Sequence, residues 1–352
     1  MRQSARSTTG FTLVEVLLGI IILALGLLGL AAVFPLVVRQ QRESQDTVVG
    51  VATGKGAEAV VAGNTALNSP LMSGGWGKVS WELYKRAFNN KNSGRVQWDE
   101  AFQQLGTLGA IYNDTGEFRV NSDLGLLNDV LIKPSDRVIP STGSGATPQF
   151  VWDIAPSLAA PVTATQLPAQ PVFQPLRVTV FVRRIDPGIR VPSNKSLGQV
   201  LADGRDGQGR PVYPVGANSD GTPSLDGRGV YAGFLKPEVT RAYRRFGASG
   251  GAFTVIELGG STTEAELGAA RQVSQQLVDV DGNVYTVVAL PDETDQDYSA
   301  QTVLRRCVVI APGLPAEYLQ SPGSTGSPLR WQMRLLCTPQ IPAAVTSFVV
   351  RR

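Results

Sequence analysis

The one acidic side chain within the apolar run from Phe11 to Val38 is Glu15, and Thr12 is the only other clearly polar residue there. An ionisable group placed in an apolar segment is costly, and by default it marks a functional position. Few other residues offer chemistry. The chain has no histidine and two cysteines. Ser-His-Asp and Cys-His catalysis, histidine-containing zinc sites and histidine acid–base chemistry are excluded. A cysteine-rich zinc site or an iron–sulfur cluster is excluded as well. No constellation of catalytic residues is visible, so the chain does not read as an enzyme, and no cofactor is implied.

Glu15 is carried by a long apolar element. Phe11–Val38 is roughly 28 residues, or about 42 Å of helix. A bilayer core needs about 20 residues. A secretory signal would have an apolar core of about 7–15 residues followed by a cleavage site. Here the polar leader ends at Gly10, ahead of the apolar run. Beyond it, Arg39–Asp46 is polar and helix-favouring, Ala57–Ala62 is again helix-like, and Gly63-Asn64 is a stop signal. Pro35 is expected to kink or locally melt the helix near Ala31–Phe34. Gly50, Gly54 and Gly56 weaken their stretch by about 1 kcal/mol each. Gly19, Gly26 and Gly29 allow close helix–helix approach.

Gly10-Phe11-Thr12-Leu13-Val14-Glu15, preceded by a short basic leader with Arg2 and Arg6, resembles the processing signal of type IV prepilins and type II secretion pseudopilins. Ile22-Leu23-Ala24-Leu25-Gly26-Leu27-Leu28-Gly29-Leu30-Ala31 resembles PilV-type minor pilins in particular. The resemblance covers roughly the first 50 residues. It implies cleavage between Gly10 and Phe11 by a prepilin peptidase and N-methylation of Phe11. It implies that Glu15 pairs with the N-terminal ammonium of a neighbouring subunit during assembly. Either charge alone in an apolar surround costs several kcal/mol, and pairing offsets much of that. Pro35 matches the helix-bending proline of related pilins. The resemblance places the leader in the cytoplasm and the head in the periplasm or outside the cell, with the chain in the inner membrane and then in a pilus or pseudopilus. Its implied partners are prepilin peptidase, other pilin or pseudopilin subunits and an assembly platform.

The remaining composition fits an exported β-rich head. Of 352 residues, 38 are glycine and 23 proline, and 17% are charged, which argues against a helical bundle. Net charge is +3, and loss of Arg2 and Arg6 with the leader leaves about +1, too little for a strong nucleic-acid or membrane-surface field. The expected fold is α+β, a long N-terminal hydrophobic helix packed on or leading into an antiparallel β-rich globular head. Its expected divisions are a leader (1–10), the helix (11–63), a mixed helical insertion and linker (64–148) and the β-rich head (149–352). Within the insertion, Ser80–Phe88 reads as a short helix with Ser80 as N-cap, and Trp98–Leu108 is another candidate. Trp76, Trp81 and Trp98 suit either a binding surface or a core.

From Gln149 the pattern becomes strand-like. Phe150–Ile154, Leu176–Arg184, Gly229–Leu235, Phe253–Leu258, Val303–Ile310, Leu329–Leu336 and Val345–Val350 are expected strands. Asp186–Asp226 is an expected long loop. Gln276–Val288 is an expected hairpin, turning at Asp281-Gly282 or Gly282-Asn283. Asp279, Asp281 and Asn283 resemble part of a calcium loop, but Leu290 stands where an acidic ligand is needed, so a hairpin turn is expected and no metal. Asp203-Gly-Arg-Asp206-Gly is a turn-rich loop. Gly50–Gly56 has the wrong glycine spacing for a phosphate loop. Cys307 and Cys337 fall in two late strands. A bond between them would close a loop of about 30 residues, worth roughly 3–4 kcal/mol, and the resemblance favours it; two buried free thiols fit the strand pattern too.

Two function classes follow. One is a minor pilin or pseudopilin whose mechanism is assembly. The other is a membrane-anchored binding module whose exported head captures a ligand or DNA. Arg183, Arg184, Arg241, Arg244 and Arg245 are the basic residues a DNA-binding head would use, although solvated strand faces account for them equally and no nucleic-acid partner is expected.

Overall fold

The computed structural model describes residues 13–65, 67–68, 75–89, 98, 118–120, 129–132, 137–140, 149–184, 234–246, 252–259, 262, 264–291, 305–315, 333–338 and 340–351. The fold is α+β, with a long N-terminal apolar helix and antiparallel sheets. Two compact units divide at Val49/Gly50.

The first unit includes residues 13–49 of helix α1 (Leu13–Gly63). Every large hydrophobic side chain from Leu13 to Val38 is exposed. A helix apolar all round suits a surround that is itself apolar. This helix is long and apolar enough to cross a membrane. The helix runs through Pro35 without interruption, so the expected melting near Ala31–Phe34 does not occur. The missing proline N–H removes only the hydrogen bond to the carbonyl of Ala31.

The second unit begins with residues 50–63 of α1. These lie with α2 (Gly75–Asn89) on one face of a four-stranded sheet. Its strands are β3 (Val138–Ile139), β4 (Phe150–Leu158), β5 (Leu176–Arg184) and β12 (Ala344–Val350), in the order β12-β5-β4-β3. A two-residue alternation divides the two faces of β4 and β5. Phe150, Trp152 and Ile154 share one apolar cluster with Val178, Val180, Val182 and helix residues Ala57, Val61, Val79 and Leu83. Ala155 and Phe181 face the other way and join Trp98, Phe234, Val278 and Leu336. Both faces are therefore covered, which explains the near-continuous apolar runs. Within 64–148, α2 and β3 contribute to this core. It also supplies a hairpin, β1 (Phe118–Val120) with β2 (Asp129–Ile132).

Two details of α2 differ from expectation. The helix starts five residues earlier, so Ser80 is interior rather than an N-cap. Ser80 is buried, and its hydroxyl lies 2.8 Å from the carbonyl oxygen and 2.7 Å from the backbone nitrogen of Gln174, holding the segment that leads into β5. The buried Trp76 and Trp98 belong to the core, and Trp81 stacks on Tyr84 at 5.6 Å.

The second sheet is built from β6 (Glu238–Phe246), β7 (Ala252–Leu258), β8 (Gln276–Val278), β9 (Val284–Ala289), β10 (Cys307–Ala311) and β11 (Met333–Arg334). Their order is β11-β6-β7-β10-β9-β8. The sheet closes into a barrel. Just beyond β11, Leu336 and Val278 of β8 exchange two backbone hydrogen bonds of 2.7 and 2.8 Å. Cys337 and Leu235, ahead of β6, exchange two more of 2.8 and 3.0 Å. The interior holds Val239, Ile256, Leu277, Tyr285, Val308, Ile310 and Leu335, and helix α3 (Glu264–Ala270) adds Leu267 and Ala270. Gln275 is buried and donates to the carbonyls of Ala269 and Thr338, tying α3 to the wall. Closure removes the free edges that an open sheet would leave.

Strand β6 departs from the sequence expectation, because Glu238, Arg241, Arg244 and Arg245 break up its apolar residues and mask the pattern. The expected loop at 186–226, the first part of the strand expected from Gly229 (229–233) and the remainder of the helix expected from Trp98 (99–108) fall outside the described residues.

Candidate functional site

Glu15 lies in the first turn of α1, where the helix dipole favours a negative charge. Its side chain is exposed. At about 100° per residue, Gly19, Gly26 and Gly29 fall with Glu15 inside an arc of about 80°. The carboxylate and the three glycines thus share one face. A Cβ added at any of the three glycines would meet nothing within 4 Å. This face offers one charge and a smooth backbone, which together suit close packing by another helix carrying a cation near the level of Glu15. Gly10 and Phe11 lie outside the described residues.

The head holds a second charged constellation. Asp153 of β4 is fully buried and forms ion pairs with Arg137, just before β3, and Arg183 of β5. Arg137 also donates from Nε to the carbonyl oxygen of Trp152 at 3.0 Å. Antiparallel register places Val151 opposite Arg183, so Asp153 reaches its guanidinium diagonally. The two arginines clamp three adjacent strands through one carboxylate. Breaking such a buried group is far more costly than its net contribution to stability. Asp153 escapes a reading of the sequence alone. Its one signal there is a lone carboxylate within an otherwise apolar strand.

This arrangement takes Arg183 out of any DNA-binding surface. Arg241 lies on β6 beside Glu257, 3.8 Å away, and Arg184 is half-buried at the end of β5. Any patch these residues form therefore lacks Arg183; the side chains of Arg244 and Arg245 lie outside the described residues.

Asp279 organises the β8–β9 turn. One carboxylate oxygen accepts from the backbone N–H groups of Asp281 and Asn283, at 2.9 and 2.8 Å. The other accepts from the Asn283 amide and the Tyr285 hydroxyl, both at 2.8 Å. Both carboxylate oxygens are thus engaged by hydrogen-bond donors. The turn centres on Val280-Asp281, one residue earlier than expected, and Gly282 follows with φ +77°. A Cβ at Gly282 would overlap the side chain of Arg177 of β5, so glycine is required by space as well as by backbone. Gly50–Gly56 is helical, with no phosphate-binding loop. No group of three or more Cys, Asp or Glu side chains among the described residues could hold a metal ion.

Cys307 and Cys337 are both buried and are not joined, so the disulfide considered for them is not formed. They occupy separate clusters. Cys307 packs with Val255 and Val309, whereas Cys337 lies inside the barrel. Burial pushes the Cys307 thiol up to about 12, with Glu257 adding to the rise and Arg271 opposing it. Burial also raises Cys337, with a further push from Glu266. Thiolate chemistry is suppressed at both.

Comparison of the chain with protein-family models, curated proteins and solved structures gives no match.

Proposed function

We propose that this chain is a minor pilin or pseudopilin, a structural subunit without turnover. Prepilin peptidase cuts between Gly10 and Phe11, Phe11 is methylated, and the mature subunit enters a type IV pilus or a type II secretion pseudopilus. Before assembly it resides in the inner membrane, with the leader in the cytoplasm and the head on the other side. The observation that carries this reading is Glu15. It stands five residues after Gly10, at the start of an exposed apolar helix, on the face that also carries Gly19, Gly26 and Gly29. An ordinary membrane anchor gains nothing from a carboxylate there, whereas a subunit that must find a cationic neighbour in an apolar surround gains register from it.

The test is the N-terminal mass of the protein from its native membrane, with and without active prepilin peptidase. A chain beginning at methylated Phe11 only when the peptidase is active supports the reading. Retention of Met1–Gly10 under both conditions overturns it. Glu15→Ala then separates assembly from simple anchoring: a filament subunit is still processed but fails to assemble.

A further inference from the structure

The four-stranded sheet ends on β12, and no described strand pairs with its outer side. The opposite edge, β3, is two residues long and runs into Pro140, and the six-stranded sheet is closed. Among the described residues, strand β12 has no such protection. Its seven residues, Ala344-Val-Thr-Ser-Phe-Val-Val350, include no charge and no proline. Every second residue of an antiparallel strand directs both its N–H and its C=O away from its neighbour. An edge of this length and composition is a template for another strand, and folds that avoid pairing guard it with lysine, proline or a bulge.

We propose that β12 is a pairing edge for a second copy of this chain, with the two β12 strands antiparallel about Ser347. The sequence is self-complementary in that register. Ser347 meets its own copy, Thr346 meets Phe348 of the second copy, and Val345 meets Val349. These are the β-branched and aromatic cross-strand pairs that stabilise sheets. Ser347 and Val349 are exposed, Val349 at 38%. A parallel pairing would bring the Arg351 side chains together, whereas the antiparallel one sends them to opposite ends. The ladder adds roughly six hydrogen bonds but little buried area, which makes the dimer a weak one. The inference concerns the head and is independent of leader processing.

The test uses the full chain in detergent micelles, with mild oxidation and a non-reducing gel. Pairing about Ser347 brings the two Cα atoms to about 4.5–5.5 Å, within disulfide reach. Ser347→Cys is expected to give a covalent dimer. Val349→Cys alone is not, because its two copies stand about 13 Å apart along the strands. A mixture of Val345→Cys and Val349→Cys chains is expected to cross-link. Adding Val349→Lys to Ser347→Cys should lower the dimer yield about tenfold, since a charge on an edge strand opposes pairing. Wild-type protein supplies the baseline, because Cys307 and Cys337 are buried. Equal yields from Ser347→Cys and Val349→Cys, or no dimer above baseline from Ser347→Cys and from the mixed chains, would overturn the proposal. So would a yield unchanged by Val349→Lys in chains that melt like the wild type.

Discussion

Gly54 of α1 lies so close to Thr346 of β12 that a Cβ at Gly54 would come within 2.9 Å of the threonine hydroxyl oxygen. One turn earlier, a Cβ at Gly50 would lie 3.0 Å from the backbone of Ala343. These two glycines, at i and i+4, let the helix rest directly on the last strand. Their helix-weakening effect is about 1 kcal/mol each. Their replacement by a larger residue should cost more, because overpacking typically costs about 1–3 kcal/mol. Gly50→Val and Gly54→Val are expected to lower the melting temperature of the head. Gly63→Ala, which has open space around it, is expected not to lower it. Equal melting of all three would show that the helix does not bear on β12.

The Arg137–Asp153–Arg183 group sets up a second prediction. Removing the shared carboxylate leaves two guanidinium groups buried without it. Asp153→Ala should destabilise the head by roughly 3–5 kcal/mol. Denaturant unfolding measures this directly. Loss below about 1 kcal/mol would mean that water or another group replaces the carboxylate readily.

The β8–β9 turn predicts indifference to calcium. All four hydrogen bonds to the Asp279 carboxylate come from donors within the turn and from Tyr285. Asp279→Ala should cost roughly 1–3 kcal/mol. Millimolar calcium should leave the melting temperature of the wild type unchanged. A rise in melting temperature that Asp279→Ala abolishes would restore a metal role.

The cysteines give a pH prediction. The Cys307 thiol moves from an ordinary value of 9.0 to about 12 in the folded chain. Folding therefore favours the protonated thiol. This contribution is fully present below about pH 9 and is lost as pH rises from there toward about 12. Cys337 acts in the same direction. Unfolding curves between about pH 8 and 11 should show stability falling with pH, less steeply in a Cys307→Ala, Cys337→Ala double variant. A thiol reagent at about pH 8 should label neither cysteine until denaturant is added; two labels on native protein would contradict the burial.

How much of this can be read from the chain itself depends on how local each cause is. The apolar helix follows from its long uninterrupted apolar run, and strands β5, β7 and β12 from patterns within nine or fewer residues. Strand β6 does not, because Glu238, Arg241, Arg244 and Arg245 break up its apolar residues in the sequence and pairing with β7 and β11 defines it. Ser80 reads as a cap because its bond to Gln174, 94 residues away, has no local sign. Asp153 is silent for the same reason: its two arginines come from outside its own strand. The glycines at 50 and 54 read as weaknesses of the helix until Ala343 and Thr346 are placed beneath them. Glu15 is legible at once, because its oddity lies in its immediate neighbours.

The seat for residues 50–54 is built by residues 343–346, far along the chain. Synthesis is vectorial, and N-terminal parts ordinarily fold first. Here residues 50–54 of the first helix cannot find their resting place until residues 343–346 have been made. The barrel has the same dependence, since Leu235 and Val278 wait for Cys337 and Leu336. Loss of the segment from Ala343 onward would therefore do more than remove a strand. It would also unseat residues 50–54 of the first helix.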